Sequence, residues 1–243
     1  MSEALLTLEG VTVGYSGDID VLREVSLSVT ASSITGLIGL NGAGKSTLMK
    51  TIGGFLKPKS GRIVYDGTDI TGIAPHHLLG RQICYIPQES SLFQYMSVEQ
   101  NLRLPLEGRK GARDALEEKL ADVVVRFPML AEKFRVQAGD LSGGQQKSLE
   151  FAKAYLLRPR LCLIDEPSIG LAPLIAREVF GWIDMFARSG MAILLVDHNV
   201  RRVVKMASHI YVLSLGEITA SGRREEFQGD LHEQVRAWLG VSF

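Results

Sequence analysis

Two short runs near the start of the chain, Leu6-Thr7-Leu8-Glu9-Gly10-Val11-Thr12-Val13 and Val25-Ser26-Leu27-Ser28-Val29, alternate apolar and polar residues. Period two predicts half-buried strands of an antiparallel pair. Later runs lose the alternation. Ile34–Ile38, Gln82–Ile86, Leu161–Ile164 and Ala192–Val196 are apolar almost throughout, as strands covered on both faces are. Elsewhere the period becomes 3.6. Leu48, Met49 and Ile52 mark one helix, and Ala115, Leu116, Leu120, Val123, Val124 and Phe127 mark another over Asp114–Phe127. Leu149, Ala152, Tyr155 and Leu156 share a face after Gln145. Pro173 opens a helix with Ile175, Val179, Ile183 and Phe186 facing inward, and Gly190 ends it. Asp66-Gly67 and Leu215-Gly216 predict tight hairpin turns, and the tail to Phe243 predicts one or two short amphipathic helices.

This order predicts an α/β fold, a mostly parallel sheet flanked by helices with an N-terminal antiparallel β subdomain. Residues 89–157 are more polar and mostly helical, so we place an inserted helical subdomain there. Residues 1–88 and 158–243 supply the β subdomain and sheet core of a single domain covering 1–243. There is no internal repeat, low-complexity run or separating linker.

Candidate chemistry gathers where the buried strands end. Gly39-Leu40-Asn41-Gly42-Ala43-Gly44-Lys45-Ser46-Thr47 fits G-x-x-x-x-G-K-[ST] and lies between a strand and a helix. Its glycines let successive N–H groups turn toward phosphate oxygens, and the helix start adds partial positive charge. Lys45 would reach the β- and γ-phosphates, and the Ser46 hydroxyl would hold Mg²⁺. Gln88 follows the strand that Pro87 stops, at the carboxyl edge where open α/β sheets bind ligands. Leu163-Ile164-Asp165-Glu166 ends a buried strand on two carboxylates, which is costly unless a cation pairs with them. Mg²⁺ on the bound phosphates would do so, with Asp165 holding the ion and Glu166 orienting and deprotonating water. His198 follows the strand Ala192–Val196 at the same edge, where a strand-end structural hydrogen bond also suits a histidine. Tyr15 could stack on a base at the Lys45 loop or cover the sheet. Ser142-Gly143-Gly144-Gln145 offers an N-cap and exposed N–H groups, a second helix start able to meet an anion.

Composition narrows the partners. Hydrophobic residues are 46% and charged residues 22% of the 243, as in folded soluble chains. Lys+Arg and Asp+Glu are 27 each, which gives no basic excess for nucleic acid. Cys84 and Cys162 sit in apolar runs and read as core thiols. His76-His77 reads as a solvated turn rather than a metal site. The N-terminus carries no signal-peptide pattern. No apolar run nears the roughly 20 residues needed to span a bilayer, so any membrane-spanning part is expected in another chain.

The ordered set formed by the Lys45 loop, Gln88, Leu141-Ser142-Gly143-Gly144-Gln145, Asp165-Glu166 and His198 resembles the nucleotide-binding subunits of ABC transporters. The resemblance covers essentially the whole chain and implies a P-loop NTPase core that binds ATP with Mg²⁺. It implies two ATPase subunits packed head to tail, the second being the same or a paralogous chain, on the cytoplasmic face of the inner membrane beneath a permease. Under it Tyr15 stacks on adenine, Lys45 and Thr47 grip phosphates, and Ser46 and Gln88 serve Mg²⁺. Ser142 and Gly144 contact the γ-phosphate bound on the opposite subunit, Glu166 activates water, and His198 holds the γ-phosphate. Two positions depart from many relatives: Ala172 stands where aspartate is common, and Ser148 where arginine is.

The strings Asp165-Glu166-Pro167-Ser168-Ile169-Gly170-Leu171-Ala172-Pro173 and Asp69-Ile70-Thr71-Gly72 look like branched-chain amino acid importers and related amide or urea importers. Val196-Asp197-His198-Asn199-Val200-Arg201 looks like the ATPase of lipopolysaccharide export. A soluble ATP-switched module acting on ribosomes or DNA is the alternative of another class. The single domain, with no heptad-rich insertion and no basic excess, argues against it.

Overall fold

The computed structural model describes residues 4–15, 19–106 and 116–227. Strand β1 (Ala4–Val13) pairs antiparallel with β2 (Leu22–Thr30) on one side and β4 (Ser60–Tyr65) on the other. Strand β5 (Thr68–Asp69) closes this four-stranded sheet in the order β2-β1-β4-β5. The turn between β4 and β5 has Asp66 and Gly67 both at positive φ, as a two-residue turn matched to strand twist requires.

The second sheet has six strands. Strands β3 (Ile34–Ile38), β6 (Ile83–Ile86), β7 (Leu161–Asp165), β8 (Ala192–Val196) and β9 (His209–Ser214) run parallel, and β10 (Glu217–Arg223) folds back antiparallel on β9. The order is β10-β9-β3-β8-β7-β6, which leaves β6 at one edge. Every residue of β3, β7 and β8 is buried, which explains why these runs do not alternate.

Side chains nevertheless alternate between two cores. Ile34, Ile38, Cys162, Ile164, Ile193 and Leu195 face a cluster with helices α5 (Gly143–Leu157), α6 (Pro173–Arg188) and α7 (Val200–Met206). Leu37, Leu161, Leu163, Leu194 and Val196 face helix α1 (Lys45–Ile52) and the four-stranded sheet. On the first side Phe151, wholly buried, lies against Trp182 and Phe186 with ring centroids 5.4 and 5.6 Å away.

Residues 98–157 hold α2 (Val98–Arg103), α3 (Leu116–Arg126), α4 (Pro128–Ala131) and α5. Of the stripe expected on α3, Leu120, Val123 and Phe127 are buried and Val124 is half-buried, Ala115 lies outside the described residues, and Val125, off the stripe, is exposed. The start expected for that helix, at Asp114, and the tail helices lie outside the described residues. Periodicity missed α2 and α7, which are too short to show it. Their signals were the caps: Ser97 and Gln100 form a capping box, and the Asn199 side chain accepts from the Arg202 N–H. His76 and His77 lie exposed in the turn Pro75–His77, and Cys84 and Cys162 are buried, in-register free thiols on β6 and β7.

Candidate active site at the carboxyl ends of the parallel strands

In a parallel sheet all strands deliver their following loops to one edge. Here β3 leads into the Lys45 loop, β6 into Gln88, β7 into Glu166 and β8 into His198. These loops frame an open cleft of about 660 Å³ lined by Asn41, Gly42, Gly44, Lys45, Ser46, Thr47, Gln88, Glu166 and His198, together with Val21 and Ile169. Nine residues expected from sequence to serve one site therefore do share one cavity. Ala43 does not line it. Its N–H donates to the Leu40 carbonyl and its own carbonyl accepts from Gly216, so it fixes the shape of the loop.

Gly44 stands at φ 107°, and a Cβ there would meet Leu22 Cδ2 at 2.7 Å. Only glycine lets this backbone turn inward beside β2, the turn by which a loop can aim N–H groups into an anion cradle. Lys45 is buried, and its Nζ donates to the carbonyls of Gly39 and Leu40 at 3.0 Å each. The same ammonium lies 3.7 Å from Glu166 Oε1. The cation is thus held by neutral acceptors and one acid at the floor of the cleft, where a polyphosphate would replace them.

Glu166 has φ 45°, a left-handed conformation that costs a side-chain-bearing residue on the order of 1 kcal/mol. Its N–H donates to the Val196 carbonyl at 2.8 Å, which pins the turn and accompanies the return of its carboxylate to Lys45. Asp165 is buried beside it. Ser46 Oγ donates to Oδ1 at 3.4 Å and Tyr85 Oη donates to Oδ2 at 3.2 Å. Burial raises the Asp165 pKa; the two hydroxyl hydrogen bonds oppose that shift and the nearby Glu166 charge adds to it. Burial, followed by the Asp165 charge, raises the Tyr85 phenol strongly, so it remains a donor. A hydroxyl and a buried carboxylate short of cationic partners, at the mouth of a phosphate cradle, suit a hard divalent ion with oxygen ligands.

Tyr15 follows β1, is 59% exposed, and shares a 3.1 Å hydrogen bond between its hydroxyl and Thr47 Oγ1. The hydrogen bond ties Tyr15 to the Lys45 loop, although Tyr15 itself does not line the cleft. Ser142 caps α5 in a capping box with Gln145, the Gln145 N–H donating to Ser142 Oγ at 3.4 Å. Ser142 and Gly143 are exposed, and none of Ser142, Gly143, Gly144 and Gln145 lines the cleft. These four lie apart from the other nine.

Sequence reasoning missed two supporting residues, Asp197 and Tyr85. Asp197 is buried and accepts from Ser168 N, Ser168 Oγ and Asn199 N at 3.2, 3.0 and 2.8 Å, and it lies 3.5 Å from His198 Nδ1. It ties the loop carrying Glu166 to the turn carrying His198. The signal was there: an acid follows β8 as Asp165 ends β7. Of the two departures, Ala172 sits at the N-cap of α6 without a side-chain cap, and Ser148 is buried with its hydroxyl lacking a partner among the described residues.

A family model described as ABC transporter matches residues 22–169. The chain belongs to the ABC transporter family. This ABC transporter subunit is 37% identical over 204 residues to the high-affinity branched-chain amino acid transport ATP-binding protein BraG of Pseudomonas aeruginosa, covering 84% of this chain and 87% of that protein. It is 34% identical over 242 residues to the lipopolysaccharide export system ATP-binding protein LptB of Haemophilus influenzae, covering 99% of each. The crystal structure of an ATP-binding cassette of an ABC transporter in its ADP conformation superposes with a TM-score of 0.84 at 29% identity, covering 100% of both chains. The chain is therefore the ATP-binding, ATP-hydrolysing subunit of a transporter, built on the α/β P-loop NTPase fold. No described helix is long and apolar enough to cross a membrane.

Proposed function

We propose that this ATPase subunit, bound peripherally at the cytoplasmic face of the inner membrane, drives a separate permease that imports branched-chain amino acids or related small polar solutes. The cleft carries the catalytic half of the proposal. Lys45 and Thr47 hold the phosphates, Tyr15 stacks on adenine, and Ser46, Gln88 and Asp165 hold Mg²⁺, which when bound screens the charge developing on the phosphates. When ATP enters, Lys45 exchanges Glu166 and two carbonyls for phosphate oxygens. That exchange frees Glu166 to orient and deprotonate water, while His198 holds the γ-phosphate.

The exposed signature residues carry the other half. Ser142 to Gln145 start a helix without lining this chain's own cleft, so we assign them to the cleft of a second ATPase subunit, the same or a paralogous chain. Residues 89–157 form the helical part that brings them there. The permease docks in a second concavity of about 440 Å³ along the edge strand β6, lined by Phe55, Leu78, Leu79, Phe93 and Leu157 among others. The occupant is a helix of the membrane chain that this transporter ATPase drives. Half-exposed Phe55 and Phe93 give an amphipathic helix an apolar seat.

The importer reading rests on the run from Asp165 to Pro173 and on the likeness to BraG. Export is the second reading, favoured by the run from Val196 to Arg201 and the full-length likeness to LptB. Purification of the chain with its permease into proteoliposomes tests both. ATP-dependent uptake of labelled leucine supports import. Absence of uptake together with ATP-dependent extraction of lipid overturns it in favour of export.

A further inference from the structure

Tyr85 lines the groove, and its hydroxyl reaches the carboxylate that stands behind the wall of the cleft. It lies on the edge strand β6, and its ring forms part of the groove beside that strand, 5.8 Å from the ring of Phe55. Its hydroxyl reaches under the sheet edge to Asp165 Oδ2 at 3.2 Å, while Ser46 addresses Oδ1 of the same carboxylate. The ring lies close over Gly53, where a Cβ would meet Tyr85 Cδ1 at 3.3 Å. No other residue lining the groove makes a hydrogen bond to Asp165 among those described.

We propose that Tyr85 is a positioning residue that couples the groove to the metal-holding carboxylate. Its phenol fixes Oδ2, so that Oδ1 is presented toward Ser46 and the cleft. A rigid ring carries motion from one end to the other. A helix seated on the face formed by Phe55 and Tyr85 displaces the ring, and the O–H donor moves with it. Asp165 then turns, and groove occupancy is read at the cleft by a path that does not pass through the exposed Gln88. The inference rests on the reading above, that the permease fills the groove and Asp165 holds the divalent ion.

Tyr85→Phe tests it, because it removes one oxygen and keeps the ring and therefore the packing. In the Glu166→Gln background, which prevents turnover, Mn²⁺ binding in the presence of ATP is read by electron paramagnetic resonance. Nucleotide binding with chelator present is read by fluorescence. The Y85F chain is expected to bind nucleotide within about twofold of its parent without metal and Mn²⁺ about tenfold more weakly, as losses of groups behind a metal ligand do. Asp165→Asn is the reference. Weakening by D165N without weakening by Y85F overturns the role of Tyr85 alone, and no weakening by either overturns Asp165 as the ligand.

The second arm uses the permease complex. Y85F is expected to leave the permease bound but to reduce its stimulation of ATP hydrolysis at least threefold, and full stimulation would overturn the link to the groove. Phe93→Asp should release the permease. Retention of the permease by that variant would overturn the docking surface itself, independently of Tyr85.

Discussion

Glu166→Gln separates the chemistry of the cleft from its architecture. The substitution keeps shape and removes one negative charge 3.7 Å from Lys45 Nζ. At an effective dielectric near 20 such a pair is worth about 4 kcal/mol before desolvation. Two structural facts reduce the net loss. Lys45 retains the Gly39 and Leu40 carbonyls at 3.0 Å each, so the ammonium is not orphaned. The Glu166 side chain is 11% exposed, so losing its charge also removes a burial cost of similar size. The folded state should therefore change by no more than about 1 kcal/mol, or a shift of about 2–4 °C in Tm. Turnover should fall by about 10²–10⁴, the usual contribution of a general base, and nucleotide affinity should hold or rise because Lys45 no longer has an acid to leave. Phosphate release, thermal melts and nucleotide titration measure the three quantities on one preparation. Turnover within about threefold of the parent would refute the assignment of the base. A Tm drop above about 10 °C would show that the carboxylate is chiefly structural.

Further outcomes follow from the same geometry. Burial raises the Asp165 pKa, so without nucleotide or divalent ion its contribution to stability is whole below about 3.8 and is lost as pH rises through the raised value. Urea melts across that interval should show a flatter pH profile for Asp165→Asn than for the parent. Tyr15→Ala should cost about 1–3 kcal/mol of ATP affinity, the usual worth of a base-stacking ring, with Tyr15→Phe retaining most of it in the same titration. Ser142→Ala removes a cap and should cost about 1 kcal/mol of stability, yet it should lower ATP turnover more than tenfold while ATP binding to the single chain is unchanged. Phe151→Ala should cost about 3–5 kcal/mol in denaturant melts, because the wholly buried ring packs against Trp182 and Phe186 of α6.

The strand ends were the most legible part of the chain, for a physical reason. A run apolar throughout reads as a strand covered on both faces, and polar groups placed just beyond it have to be answered by something. That reasoning picked out Gln88, Asp165 and Glu166, the phosphate-loop pattern picked out Lys45, and the ordered set of motifs added His198; the structure brings all but Asp165 to the wall of one cleft, with Asp165 one hydrogen bond behind it. Tyr85 was not legible in this way. It reads as one more aromatic in a buried strand, and only the sheet order, with β6 at the edge and β7 beside it, brings its hydroxyl to Asp165. Helices α2 and α7 escaped because six or seven residues are too few to show a 3.6 period. The start of α5 was visible as a string, but its separation from the cleft is a tertiary fact that no local pattern encodes.

The claim that most needs a direct measurement is that this chain works as the motor of a membrane permease. Recovery of the tagged chain from detergent-solubilised native membranes, with its partners identified by mass spectrometry, addresses it. The account predicts one or two polytopic permease chains in the same fraction, alone or with a second, similar ATPase. Soluble partners alone, with no membrane chain among them, would contradict it.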